Sequence, residues 1–326
     1  MKTPNLLILA TGGTIAGMAG SATRADYAPG QIGIDTFLSG ARELGLDARF
    51  TGVQVANIGS ENIGPEVWTR LHAHCLDALA GDEFDGVIIT HGTDTAEETA
   101  FLLHMTLPSN KPIVLVGAMR PADAVGYDGL RNFANAVRVA SDPAAAGRGV
   151  LVVMSDRVHA ARDVRKARTR GTEAFRGFPR ESVGLVTPSA LEWFGAPWRV
   201  GEDARFAYEE GLPDVPILLI HAGMTADYVT RLVTDQTRGV VVAGAGEGNM
   251  PEAVRRALAG LAADGMPVVR ASRLDEGLVD REPEDDENRF IAGRALTPQK
   301  ARILLQLLIA SEVTDPADIQ TEFDSR

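Results

Sequence analysis

The chain has a single cysteine, Cys75, among its 326 residues, so no internal disulfide can form. It also lacks any run approaching the ~20 apolar residues that span a bilayer, and no membrane segment is expected. The first apolar run begins at Leu6, which leaves no room for a signal peptide, and a cytoplasmic chain is expected. The mature form of a periplasmic or secreted protein would read the same. Positive charge is scarce: 32 Lys and Arg stand against 44 Asp and Glu, for a formal net charge of -12. Neutralising phosphates needs clustered cations, so nucleic acid is excluded as a partner and an anionic membrane surface gains no support. The acidic balance reads as solubility. Internal repeats and low-complexity tracts are absent. His72, His74 and Cys75 crowd one helical stretch, but residues two apart do not share a helix face, and a surface helix with one buried thiol is the expected outcome.

What is present is the ordinary make-up of a soluble globular protein, 45% hydrophobic and 23% charged. The length exceeds one hydrophobic core, so two domains are expected. Strand-like apolar runs recur at 6–10, 87–90, 113–116, 150–154, 217–220, 240–243 and 268–269, with helical patterns between most of them. That alternation predicts a two-domain α/β fold: a larger N-terminal domain, 1–195, with a mostly parallel sheet flanked by helices, and a smaller parallel α/β domain, 214–326. The charged, aperiodic stretch 196–213 reads as the linker. Thr297 is placed to cap a final helix that opens with Pro298 and should pack on the second sheet.

Two threonine-bearing turns carry the chemistry. Thr11-Gly12-Gly13-Thr14 and His91-Gly92-Thr93-Asp94-Thr95 each follow an apolar run directly. Ligands of open parallel sheets bind beyond the carboxyl ends of the strands, where both turns would lie. The segment 18–30 that follows Thr14 is small, polar and glycine-bearing, and fits a mobile lid or a plain surface loop equally. A threonine hydroxyl becomes a nucleophile when a neighbouring base takes its proton. Thr93, Asp94 and Lys166 could supply a hydroxyl–carboxylate–amine relay, although the basic run around Lys166, 162–168, reads by spacing as a solvated face. The competing reading is a phosphate- or nucleotide-binding module. Gly12-Gly13-Thr14 lacks the Gly-Lys-Ser/Thr ending of a P-loop. Gly244-Ala245-Gly246-Glu247-Gly248-Asn249 comes nearer a dinucleotide fingerprint, but Asn249 replaces the third glycine and Glu247 would repel a pyrophosphate.

Leu9-Ala10-Thr11-Gly12-Gly13-Thr14-Ile15-Ala16 resembles the first signature of the bacterial-type L-asparaginases, and Gly86-Val87-Ile88-Ile89-Thr90-His91-Gly92-Thr93-Asp94-Thr95 their second. The likeness runs nearly end to end, through Gly117-Ala118-Met119-Arg120-Pro121, Arg162-Asp163-Val164, Gly248-Asn249 and Pro298-Gln299-Lys300-Ala301-Arg302. The resemblance implies that Thr14 attacks the side-chain amide of L-asparagine, releasing ammonia and leaving an acyl-enzyme that water resolves to L-aspartate. L-Glutamine would be a slower substrate, and neither metal nor organic cofactor is required. It implies that Thr93 positions or activates the water, Lys166 tunes protonation and Asp94 pairs with the substrate α-ammonium. Tyr27 matches a lid tyrosine that adjoins Thr14 on closure. Gly59, Ser60 and Glu61 match a substrate-binding segment in which the serine holds the carboxylate. Ala118 matches a position whose carbonyl receives the leaving amide. Asn249 and Glu282 match residues that complete a neighbouring subunit's site, which implies a homo-oligomer, typically a tetramer built of dimers with shared sites. Activation of Thr14 stays open between the Lys166 relay and a path centred on Tyr27. Two departures stand out: Glu61 where some members carry Gln, and Ala96 where a larger apolar side chain is usual.

Overall fold

The structure, a computed structural model, describes residues 2–20, 28, 30–199 and 203–325. It comprises two compact units, Met1–Glu210 and Gly211–Arg326. In the first unit the described strands are β1 Asn5–Gly12, β2 Arg49–Ile58, β3 Gly86–Thr90, β4 Ile113–Val116, β5 Val150–Met154, β6 Arg157–Ala160, β7 Val164–Lys166, β8 Phe175–Gly177, β9 Gly184–Val186 and β10 Leu191–Trp193. The helices are α1 Ile34–Arg42, α2 Pro65–Ala80, α3 Ala96–Thr106 and α4 Gly129–Ala140.

Eight strands form one sheet in the order β10-β9-β6-β5-β4-β3-β1-β2. The five from β2 to β5 run parallel, and β6, β9 and β10 extend the sheet antiparallel. β7 and β8 pair apart as an antiparallel ribbon. The parallel strands read as unbroken apolar runs because both faces are covered. Leu6, Ile8 and Ala10 of β1 belong to the core under α1 and α4, with Phe37, Leu38 and Phe133. Leu7 and Leu9 belong to the core under α2 and α3, with Leu71, Cys75, Ala100 and Leu103. Each fully buried Leu, Ile or Phe among these contributes about 1.5–3 kcal/mol. The sheet is mostly parallel, as expected; the antiparallel strands are not located by the sequence, because strands of three or four residues carry no measurable period.

The order β2-β1-β3-β4 contains one reversal. β1 continues outward to β2 on one side, and β3 continues outward to β4 on the other. In a doubly wound sheet this reversal opens a crevice at the carboxyl ends of β1 and β3. Both threonine turns leave those two strands.

The second unit contains β11 Ile217–Leu219, β12 Val240–Gly244, β13 Val268–Ser272 and β14 Phe290–Ala292. Its described helices are α5 Asp227–Leu232, α6 Glu252–Ala263, α7 Pro283–Asn288, α8 Pro298–Ala310 and α9 Pro316–Asp324. The four strands are parallel and lie in chain order. Right-handed crossovers in one direction put the connecting helices on one face. Val229 of α5 and Val254 and Leu258 of α6 accordingly share a core with Val240, Val242 and Val268. The other face carries the buried Val241, Val269 and Ile291; α8 packs on β12 and β13, and α9 packs on β14. Thr297 caps α8, its side chain accepting from the Lys300 N–H at 3.4 Å, as the sequence predicts.

The described part of 196–213 does not run free. Arg199 is buried, its N–H donating to the Gly147 carbonyl at 2.6 Å and its guanidinium to the His104 carbonyl. The Phe206 N–H donates to the Met105 carbonyl at 3.1 Å. Composition conceals this packing because the arginine is buried by satisfying carbonyls rather than by apolar contact. Among the described residues, no helix is long and apolar enough to cross a membrane.

Candidate active site

The parallel register gathers four turns at one sheet edge. Gly12 pairs with Ile58, Ala10 with Thr90, and Thr90 with Val116. Thr14 therefore follows β1, Ser60 follows β2, Thr93 and Asp94 follow β3, and Ala118 follows β4, all on the same side.

The first two turns are locked together by backbone. Gly13 has φ 76°, and its N–H donates to the Ile58 carbonyl at 2.9 Å. A Cβ on Gly13 would lie 2.5 Å from the Gly92 nitrogen and closer still to the Gly92 Cα. Thr11 Oγ1 donates to the Thr90 carbonyl at 3.0 Å within the core. Thr14 opens the single turn Thr14–Ala16 and is 5% exposed.

Thr93 is buried, and its Oγ1 accepts from Lys166 Nζ at 2.9 Å. The same ammonium is ion-paired with Asp94 Oδ1. The Lys166 side chain is 16% exposed and that of Asp94 58%, so the carboxylate forms the open end of the cluster. Lys166 ends β7, and its backbone N–H donates to Glu97 Oε2 at 2.7 Å. Glu97 sits buried in the first turn of α3, directly after the Thr93–Asp94 turn. The solvated-face reading of the basic run is therefore wrong. Asp163, Val164 and Arg165 are buried, Arg180 pairs with Asp163, and the Arg165 guanidinium lies 5.4 Å from the Phe178 ring centre.

Ser60 is 3% exposed and wedged against the second turn. Its Oγ accepts from the Asp94 N–H at 3.1 Å, and its carbonyl accepts from Thr95 Oγ1 at 2.7 Å. Glu61 folds its carboxylate back over Gly59 and accepts from Asn62 Nδ2 at 3.1 Å. It is hydrogen-bonded there rather than to the Lys166–Thr93–Asp94 cluster. Ala118 is fully buried, and Asp128 fixes the turn that contains it by accepting from the N–H groups of Met119 and Arg120 at 3.1 and 3.0 Å. Ala96 is buried in the core under α2 and α3.

His91, Thr99 and Trp68 belong to this site but carried no separate signal in the sequence. His91 Nδ1 lies 2.6 Å from the Gly92 carbonyl, a pure acceptor, so this nitrogen holds the proton. Nε2 is then an acceptor, and takes the Thr99 hydroxyl proton at 2.9 Å. Thr99 Oγ1 in turn accepts from Trp68 Nε1 at 2.9 Å. Burial lowers the His91 pKa to about 4, against the opposing pull of the Gly92 carbonyl. The imidazole is neutral at pH 7 and fixes the conformation of the turn that bears Thr93 and Asp94.

Tyr27 lies outside the described residues, as do the other positions of 21–27. The flanks of that stretch are tied down. Met18 and Ala28 exchange backbone hydrogen bonds, and Asp123 accepts from the N–H groups of Ala19 and Gly20 at 2.8 Å each.

Asn249 and Glu282 belong to the second unit. Asn249 closes a tight turn in which the Ala245 N–H donates to its carbonyl at 2.8 Å and its N–H donates to the Ala245 carbonyl at 2.7 Å. These N–H groups are thus already engaged, which weighs against the phosphate-loop reading of 244–249. Glu282 is the N-cap of α7 and forms a capping box with Asp285.

Residues 5–199 match the family model described as "Asparaginase, N-terminal", and residues 214–323 match "Glutaminase/Asparaginase C-terminal domain". The "Probable L-asparaginase periplasmic" of Haemophilus influenzae is 39% identical, covering 98% of this chain and 93% of that protein. The "Glutaminase-asparaginase" of Pseudomonas fluorescens biotype A is 37% identical, covering 99% of this chain and 90% of that protein. The crystal structure of a "Probable Cytoplasmic L-asparaginase from Campylobacter jejuni" superposes with a TM-score of 0.90 at 36% identity, covering 98% of this chain and 99% of that one.

Proposed function

The chain belongs to the asparaginase family, and from that premise we propose that it hydrolyses the side-chain amide of L-asparagine to L-aspartate and ammonia through a threonine acyl-enzyme. Thr14 Oγ attacks the amide carbon as its proton departs. Backbone N–H groups beyond β1 meet the developing oxyanion. Collapse of the tetrahedral intermediate delivers the Thr14 proton to the amide nitrogen, which leaves as ammonia, and an aspartyl ester remains on Thr14. A water molecule positioned by Thr93 adds to the ester, releases aspartate and restores the hydroxyl. Asp94 pairs with the substrate α-ammonium, Ser60 receives the α-carboxylate, and the carbonyl of Ala118 receives the amide nitrogen. The Thr14 proton has two routes, through Thr93 to Lys166 or towards Tyr27.

One observation carries this reading. Lys166 Nζ bridges Thr93 Oγ1 at 2.9 Å and Asp94, on a turn in backbone contact with the turn of Thr14. A buried hydroxyl tied to an ammonium and a half-exposed carboxylate suits a zwitterionic amide better than a phosphate. L-Glutamine is proposed as the secondary substrate, because one methylene is discriminated by only about 1–3 kcal/mol. Asn249 and Glu282 are assigned to the site of another copy, in a homotetramer built of dimers.

Ammonia release from L-asparagine and from L-glutamine, with Thr14→Ala run alongside, tests the proposal. Release that vanishes in the variant supports it. Release that survives in Thr14→Ala removes Thr14 as nucleophile, and silence on both amides from the folded protein sinks the assignment.

A further inference from the structure

Arg270, on β13, is the largest of the fully buried side chains among the described residues, with 1% of its surface exposed. Its Nε and Nη2 grip both oxygens of Asp285 at 2.8 and 2.5 Å, and Asp285 is equally buried. Nη1 donates to the Glu247 carbonyl at 2.5 Å, and Nη2 also donates to the Asp280 carbonyl at 2.7 Å. The stem passes directly beneath the 245–249 turn: a Cβ on Gly248, at φ 89°, would lie 2.8 Å from Arg270 Cγ. A surface clasp reinforces the link, because Glu247 Oε1 accepts from the Asp280 N–H at 3.2 Å. Asp285 carries the connection onward by accepting from the Glu282 N–H at 2.9 Å, with Glu282 Oε2 itself 3.7 Å from Nη2.

A buried ion pair is a poor source of stability, since a well-packed apolar replacement is often as stable or more so. What an apolar residue cannot do is bind two carbonyls and a carboxylate from two separate segments at once. The rigid guanidinium fork can. One of those segments ends in Asn249, and the other presents Glu282.

We propose that Arg270 is a positioning residue that holds Asn249 and Glu282 in fixed mutual register, so that both reach the charged end of the substrate in another copy's site. This rests on the functional reading above. Arg270 touches neither substrate nor reacting atoms; it acts through the two segments it joins.

The test uses full-length Arg270→Lys, which keeps the charge and loses the fork. KM for L-asparagine should rise about tenfold, as for partners behind a ligating shell, with kcat within about twofold and assembly unchanged. A merely structural role would reduce the amount of active enzyme and leave KM alone. Co-expressed, differently tagged Arg270→Lys and Thr14→Ala copies then give hybrid assemblies. In these, the intact second unit of a Thr14→Ala copy serves the Thr14 of an Arg270→Lys copy, and sites of wild-type KM should reappear. A hybrid that keeps the raised KM, or a folded Arg270→Lys of unchanged KM, overturns the proposal. If Arg270→Lys does not fold, Glu247→Ala decides, because it cuts the surface clasp without stranding a buried charge. A severalfold rise in KM supports the proposal and an unchanged KM overturns it. Activity persisting in Thr14→Ala alone would instead count against the reading of the site, separately from Arg270.

Discussion

Gly13 and Gly92 meet backbone to backbone, so that the turn bearing Thr14 and the turn bearing Thr93 are held at a separation that a side chain at Gly13 would not permit. An alanine at Gly13, where φ is 76° and ψ -169°, would incur about 1–3 kcal/mol of backbone strain. It would also push the two turns apart, and displacements near 1 Å cost about 100-fold in rate. Gly13→Ala is therefore expected to lose about two orders of magnitude in kcat/KM. Gly45→Ala is the positive-φ control, with φ 65° and open space around its Cβ. It should show the strain as a lower Tm and retain its kcat/KM. Equal kinetic losses in both variants would mean that backbone strain, and not the contact with Gly92, sets the rate.

Lys166→Met should separate chemistry from folding. The ammonium binds Thr93 Oγ1 and a carboxylate whose side chain is 58% exposed, so its removal strands no buried charge. Stability should change by no more than about 1 kcal/mol, the net worth of an ordinary hydrogen bond. The fall in kcat should be about 10²–10⁴-fold, the range for lost proton-transfer assistance. Steady-state kinetics beside thermal melts check this, and a kcat within a few-fold of the parent would remove Lys166 from the relay.

Acid should weaken the fold in a way that His91 partly accounts for. The folded protein keeps His91 neutral, with its pKa lowered by burial to about 4, whereas an unfolded histidine titrates near 6.5. Its stabilising contribution is complete above pH 6.5. As pH falls from 6.5 to about 4, the unfolded chain takes up a proton that the folded chain refuses, and stability declines. Below about 4 both states are protonated and the loss levels off, at about 3 kcal/mol. His104, also buried, has its pKa lowered by desolvation and adds to the same trend. Denaturant unfolding at pH 7 and pH 4.5 should show a shallower pH dependence in His91→Gln than in the parent; identical slopes would contradict the neutral imidazole.

Cys75 should be unreactive while the protein is folded. It is fully buried between α2 and the sheet, and desolvation pushes its thiol up to about 12. Thiolate is the reactive form, so a soluble thiol reagent at pH 8 should modify native protein only at the rate of unfolding. Complete labelling within minutes under native conditions would mean that α2 opens far more readily than its packing implies.

The sequence exposes those parts of this molecule that have a local physical signature. Strands β4 and β5 are legible to the residue, because strands buried on both faces must be apolar throughout. β2 is missed: it is an edge strand, largely part-exposed, and polar residues such as Gln54 and Asn57 break its run. β6 to β10 are too short to establish a period. In the site, Thr14 and Thr93 are legible because they follow apolar runs directly, whereas Ser60 and Ala118 emerge only from the family resemblance. The bond between Lys166 and Thr93 spans 73 positions and no spacing rule reaches it. Trp68 and Thr99 were invisible for a different reason. Each sits on an ordinary helix, and their service to His91 exists only after α2 and α3 pack side by side.

The chain-order sheet of the second unit sets a schedule for synthesis. Its connecting helices cover one face, and the opposite face waits for α8 and α9, which follow the last strand. A nascent chain on the ribosome can complete the first unit while the later strands emerge. It then carries the bare side of Val241, Val269 and Ile291 until the stretch from Thr297 clears the exit tunnel. A premature stop upstream of Thr297 would leave the first unit attached to an adhesive, open-faced sheet.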